Sequence, residues 1–293
     1  MTASTSQHRK DMAMTQRTWF ITGVGSGFGR HMTEQLLARG DRVAGTVRKL
    51  DSMTDLEARH GERLWLAHLD VTDTPAIKQV VNRAFAELGR VDVVVNNAGY
   101  GLFGAAEALT DEQIVHQLNT NLLGSIQVIR AATPHLRAQG GGRILQISTY
   151  GGQAAGAGGS LYHASKWGIE GFVESMMQEL APFNIGVTIV EPGGARTKFR
   201  FGSARVGAKM AVYEGTPVGR VHALLEDTSL LPKGDAARMV QLMIASVDQH
   251  PAPKRLVLGG DAYVALVKAL RERLADIEPQ KNFAASTDLR EGA

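Results

Sequence analysis

Along the chain, short runs of apolar, β-branched and aromatic residues alternate with longer stretches in which apolar positions recur at helical spacing. The runs are TWFIT at 18–22, RVAGTV at 42–47, LWLAHL at 64–69, VDVVV at 91–95, RILQIS at 143–148, GVTIV at 186–190 and RLVLG at 255–259. Such short, near-continuous apolar runs are what a strand buried on both faces requires. The helical spacing between them predicts helices near 28–39, 73–88, 111–138, 160–180 and 235–249. This alternation specifies an α/β fold, a three-layer αβα sandwich around a seven-stranded, mainly parallel sheet. One connection breaks the rule of short loops: residues 192–234 run on before the next clear helical pattern. Connections of that length are lids or binding loops.

The polar, patternless ends read as flexible tails over 1–16 and 280–293, leaving 17–279 as a single domain. With 44% hydrophobic residues among 293, the chain can fill one large core. Its net charge of +3 comes from charges scattered along the chain. Without a basic stripe, nucleic acid is not expected as a partner. The absence of cysteine excludes disulfides, thiolate metal sites and a cysteine nucleophile, and fits a cytoplasmic protein. The nine histidines form no ligand-spaced cluster, so no metal is expected. No apolar run approaches the ~18 residues of a membrane span.

Chemistry enters at the end of the first strand. TGVGSGFG at 22–29 leads directly into the helical RHMTEQLLARG. Glycines there allow a tight turn and close backbone approach, and the following helix N-terminus offers free N–H groups and a positive dipole end to a phosphate. Between the first strand and first helix of an alternating fold, this pattern points to a dinucleotide.

The spacing T-G-x-x-x-G-x-G, carried by Thr22, Gly23, Gly27 and Gly29, is followed in order by HLDVTD at 68–73, NNAG at 96–99, NTNLLGS at 119–125, YHASK at 162–166 and PGGART at 192–197. Together these six motifs resemble the short-chain dehydrogenase/reductase family over about residues 17–260, and that resemblance implies a Rossmann-type dinucleotide fold. It also assigns cofactor contacts to Gly23, Ser26, Gly27, Phe28 and Gly29 of the glycine loop, to Asp70 and Val71 near the adenine, and to Asn97, Ala98 and Gly99 on the adenosine side. Pro192, Gly193 and Thr197 would line the nicotinamide, and Asn121, Thr149, Tyr162 and Lys166 would be catalytic. Tyr162 and Lys166 would also contact the cofactor, the lysine through the ribose hydroxyls.

The second strand ends in GTVRKL, where a dinucleotide fold meets the adenine ribose. An acid at this point would accept from the 2′-hydroxyl of NAD. In the family's register Val47 occupies the acid's position and Arg48 follows, so NADP(H) is favoured over NAD(H) through an arginine–phosphate contact. Reduction of a carbonyl needs an acid within reach of its oxygen. A phenol has a pKa near ~10, and the Lys166 ammonium together with a positive nicotinamide is expected to lower that of Tyr162.

The family's serine falls about thirteen positions before the tyrosine, which is Thr149 here. Neighbouring strand residues face opposite ways, so Ser148 is the alternative. Asn121 would hold a water of the proton relay. His163 and the basic ARTKFRF segment read as structural or solvated. Phe199, Phe201, Met210, Val212, Tyr213 and Val218 in the long connection suggest an apolar, steroid-like ketone, aldehyde or secondary alcohol as the small-molecule substrate. A homodimer or homotetramer through 111–138 and 160–180 is expected. A nucleotide-sensing protein without turnover and a sugar-nucleotide epimerase are the alternatives, although the latter usually carries a larger C-terminal domain.

Overall fold

The computed structural model describes residues 16–289, and all seven expected strands are present. The first half runs β1 (Thr18–Thr22), α1 (Gly27–Ala38), β2 (Arg42–Val47), α2 (Thr54–His60), β3 (Leu64–His68), α3 (Thr74–Leu88), β4 (Val93–Asn96) and the short β5 (Leu102–Phe103). Next come α4 (Asp111–Leu118), a π-helical turn (Asn119–Leu123), α5 (Gly124–Ala138), β6 (Gly142–Ile147), α6 (Ser160–Leu180) and β7 (Ile185–Pro192). The chain continues with β8 (Arg205–Val206), α7 (Pro217–Glu226), α8 (Ala236–Ser246), β9 (Arg255–Leu258), α9 (Gly260–Ile277) and α10 (Lys281–Ala285).

Seven strands form one sheet in the order β3-β2-β1-β4-β6-β7-β9, and every adjacent pair is parallel. Alternate residues feed opposite faces. Trp19, Ile21, Val43 and Val95 join Met32, Leu36, Val240 and Met243 of α1 and α8 in one core cluster. Phe20, Ala44 and Val94 join Ile77, Val81, Ile129, Ile169 and Val173 of α3, α5 and α6 in the other. Burial on both faces is why these strands read as unbroken apolar runs. The sheet grows outward from β1 to β3, then returns to β4 and grows the other way. That reversal opens a crevice beyond the carboxyl ends of β1 and β4, where ligands of doubly wound sheets bind.

Four differences from the sequence pattern have physical causes. The helix expected over 111–138 is interrupted at Asn119–Leu123 by a π turn, because Asn121 turns inward to pair with the Tyr100 backbone. The long connection contains α7, announced by the cap pair Thr216–Pro217; Thr216 accepts from Gly219 N. The connection is also stitched to the body, since β8 pairs with β5 and Gly234 N donates to Gly194 O. Residues 260–277, to which the pattern assigned no element, form α9, anchored by the buried Ala262 and Leu266.

The segment from 280, expected to be an unstructured tail, includes the short exposed helix α10. The expected N-terminal tail falls outside the described residues up to position 15, as do the last four positions. Among the described residues no helix is long and apolar enough to cross a membrane.

Candidate active site

The turn after β1 is built around glycine. Gly23 has φ +73° and Gly27 φ +56°, a region that glycine enters without strain. A Cβ on Gly29 would fall onto the carbonyl of Gly23 and within 2.6 Å of Asn97 Nδ2. Asn97 explains that crowding: its side chain donates to the carbonyls of Thr22 (2.9 Å) and Gly23 (3.0 Å), while Asn97 N and Ala98 N both donate to Thr22 Oγ1 at 3.0 Å. The NNAG segment therefore holds the glycine turn in shape.

Ser26 stands at the N-cap of α1 without a side-chain cap bond, and the first turn carries no acid. This helix end keeps its free N–H groups beside the crevice. Phe28 packs inward against the core. Thr197 arrives from the far end of β7, its Cβ 3.7 Å from where a Gly27 Cβ would stand. An uncapped helix end, a glycine turn with no room for side chains and an acid-free approach fit a dinucleotide phosphate.

At the outer end of the crevice, Arg48 follows β2 and is exposed, with no side-chain hydrogen bond or ion pair among the described residues. Asp70 lies one strand over, where its carboxylate accepts from Thr72 N (2.9 Å) and Thr72 Oγ1 (2.8 Å). Burial would raise its pKa, but these hydrogen bonds and the charges of Arg48 and His116 outweigh it and hold the carboxyl below its usual range. Val71 packs on the core and approaches Gly124, so closely that a Cβ there would meet its carbonyl.

The inner end gathers the remaining residues. Asn121 is fully buried; its Oδ1 accepts from Tyr100 N (3.0 Å), and its Nδ2 donates to Tyr100 O (2.8 Å) and Ser165 Oγ (3.2 Å). A Cβ on Gly99 would come within 3.1 Å of Asn121 Oδ1 and 3.8 Å of Lys166 Nζ, so all three share one neighbourhood. Lys166 Nζ donates to Ile147 O at 2.9 Å.

Tyr162, one turn earlier on α6, lies between Phe103 and Phe199, with ring centroids 5.5 and 5.9 Å away. Phe103 comes from β5 and Phe199 from the long connection, which thus acts as a lid over the phenol. Pro192 is buried and its carbonyl accepts from Thr149 Oγ1 at 3.3 Å; Gly193 N donates to Leu258 O at 2.8 Å.

The two adjacent hydroxyls diverge. Thr149 Oγ1 donates to Pro192 O, accepts from Gly151 N at 3.4 Å and lies near enough to Tyr162 to pull its pKa down, whereas Ser148 donates to the buried carboxylate of Glu170. His163 bridges two loops: it accepts from Gly156 N at Nε2 (3.1 Å) and places Nδ1 2.9 Å from Gly151 O, so the proton sits on Nδ1. Arg196 and Arg200 hold lid carbonyls of Pro232, Leu230 and Asp227.

The electrostatics of the pair differ from expectation. Burial raises the Tyr162 pKa well above its ordinary value; the nearby Thr149 hydroxyl opposes this and Tyr150 adds to it. Lys166 makes no hydrogen bond to Tyr162 and is itself pushed down to about 8 by burial, against the pull of Glu170. The protein groups alone thus keep the phenol protonated, and the expected lowering does not occur among them. Sequence reading also passed over Phe103, Glu170 and Arg255. The signal for Glu170 was present, since Tyr162, Lys166 and Glu170 follow at spacings of four along one helix face.

The family model described as short chain dehydrogenase matches residues 17–204. Oxidoreductase BOA17 of Botryotinia fuckeliana is 36% identical over 272 residues, covering 92% of this chain and 99% of that protein. Human retinol dehydrogenase 8 is 34% identical over 218 residues, 72% of this chain and 69% of that one. A short-chain dehydrogenase from Streptomyces avermitilis has a crystal structure that superposes with a TM-score of 0.87 at 36% identity, covering 94% of this chain and all of that chain. More distant chains of the same fold were solved with NAD in one case and NADP in another.

Proposed function

The chain belongs to the short-chain dehydrogenase family, and from that premise we propose that it catalyses reversible hydride transfer between NADP(H) and a ketone, an aldehyde or a secondary alcohol on an apolar skeleton. The observation that carries this reading is the convergence at one crevice of the glycine turn, the uncapped start of α1 and the Tyr162–Thr149–Lys166 group under an aromatic lid. Bound there, the nicotinamide would supply or accept the hydride. Gly23, Gly27, Gly29 and the first turn of α1 would hold its phosphates, and Pro192, Gly193 and Thr197 would flank its reactive end.

Thr149 donates to the carbonyl oxygen and Tyr162 protonates it as hydride arrives. A phenol kept neutral by burial is the form able to donate that proton. In the reverse direction Tyr162 must lose its proton; Lys166 would supply positive charge that favours the phenolate, and a bound oxidised nicotinamide would add to it. Arg48, exposed and unpaired among the described residues, is free to meet a 2′-phosphate, which supports NADP(H). Phe103 and Phe199 face the phenol with apolar surface, in keeping with the name of the retinol dehydrogenase relative.

The test follows absorbance of the reduced nicotinamide with purified protein and a panel of apolar ketones and aldehydes, for wild type and Tyr162→Phe. The wild type should turn over with NADPH, and the variant should lose at least ~100-fold in kcat while still binding cofactor. Retention of rate by the variant would refute the acid assignment.

A further inference from the structure

Behind the site lies a buried polar cluster that the reaction as described does not use. Tyr162, Lys166, Glu170 and Glu174 recur every fourth residue on α6, and of these Lys166 and Glu170 are buried while Glu174 reaches the surface. Glu170, with a side chain only 3% exposed, accepts from Ser148 Oγ on one oxygen and from Arg255 at 2.6 Å on the other. Arg255, on β9, also binds Glu191 of β7 at 2.7 Å and Glu174 at 2.6 Å. Gln153 donates to Glu191 as well, and its own carbonyl accepts from Arg273. A Cβ on Gly152 would collide with the Glu170 carboxylate, so the turn after Thr149 is shaped around it. Glu170 therefore touches both flanks of Thr149: Ser148 before it and Gly152 after it.

We propose that Glu170 is a positioning residue for hydride transfer, a reading that rests on the function proposed above. It pins Ser148 so that Thr149 is the hydroxyl presented to Tyr162, and it sets a carboxylate one turn beyond Lys166 as the countercharge for that buried ammonium. An ion pair buried for stability alone could be replaced at little cost. Here the carboxylate holds Ser148, the neighbour of Thr149, and lies one helical turn beyond Lys166. The groups around it are Lys166 and Glu174 of α6, Ser148 just past β6, Glu191 of β7 and Arg255 of β9.

The experiment compares wild type, Glu170→Gln and Ser148→Ala. Glutamine keeps the size and an acceptor for Ser148 but removes the charge. In cofactor-free protein, NMR titration of the Lys166 ammonium should show its midpoint fall by about one pH unit in Glu170→Gln and hold steady in Ser148→Ala. In turnover, kcat should fall about tenfold in Glu170→Gln and about threefold in Ser148→Ala, with KM for cofactor nearly unchanged. An unmoved lysine midpoint in Glu170→Gln overturns the countercharge role whatever the turnover. An unchanged kcat in Ser148→Ala overturns the positioning of Thr149, and this arm stands even if Glu170→Gln does not fold. The hydride-transfer reading itself fails separately, if Tyr162→Phe keeps its rate while the lysine midpoint still moves.

Discussion

Replacing Lys166 by methionine should abolish turnover and yet stabilise the protein. Lys166 is 6% exposed, and burial drives its pKa from 10.5 to about 8. At neutral pH the folded chain must still carry this ammonium, and a fall of that size is worth about 3 kcal/mol against folding. Methionine fills the space without the charge. It gives up the hydrogen bond from Nζ to Ile147 O, about 1–2 kcal/mol, but that carbonyl keeps a donor in Gln146 Nε2 at 3.1 Å. The variant should therefore be more stable by about 1–2 kcal/mol at pH 7.

The difference must depend on pH in a definite direction. Because the folded-state pKa lies below the unfolded one, the unfolded chain binds more protons between pH 8 and 10.5, and wild-type stability rises over that window. About 2 kcal/mol should be recovered between pH 7 and 9.5, so that the gap closes. Measurement stops at 9.5 because tyrosines ionise in the unfolded chain near ~10 while burial keeps Tyr162 protonated in the folded one. Urea unfolding of cofactor-free wild type and Lys166→Met at pH 7, 8, 9 and 9.5 reads the difference directly. A variant less stable than wild type at pH 7, or a gap that stays constant with pH, would refute the buried-charge account.

Thr149→Ala should reduce kcat by ~100-fold or more, far beyond the threefold loss for Ser148→Ala, because only the threonine hydroxyl neighbours Tyr162. The opposite ranking in steady-state kinetics would transfer the role to the serine. Arg48→Ala should weaken NADPH by ~10–100-fold, the worth of a charge-assisted phosphate contact, and NADH by less than ~3-fold; equal losses in fluorescence titrations with the two cofactors would remove the 2′-phosphate assignment. Gly29→Ala should raise the Kd for either cofactor by at least ~10-fold, because its methyl overlaps the Gly23 carbonyl and displaces Asn97. Unaltered binding would show that the turn can relax around it.

The sheet was legible in the sequence because burial on both faces forces an apolar residue at nearly every strand position, and that pattern is local. The glycine turn and the Tyr162–Lys166 spacing were legible for the same reason: a tight turn and a shared helix face are set within a few residues. Helix α2 escapes the pattern because it is short and docks one buried side chain, Leu56, whereas α9 has apolar residues at helical spacing but buries only Ala262 and Leu266 and leaves Tyr263, Leu270, Leu274 and Ile277 exposed.

Contacts between distant segments left no local trace. The π turn exists because Asn121 finds the backbone of Tyr100, and the lid closes because Phe199 meets a tyrosine on α6. Sequence leaves Ser148 and Thr149 as a choice between neighbours, and the partner that takes the serine hydroxyl, Glu170, stands twenty-two positions away. The direction of the Tyr162 shift is also a tertiary fact, since charge neighbours can be guessed from spacing but desolvation depends on every element packed around the group.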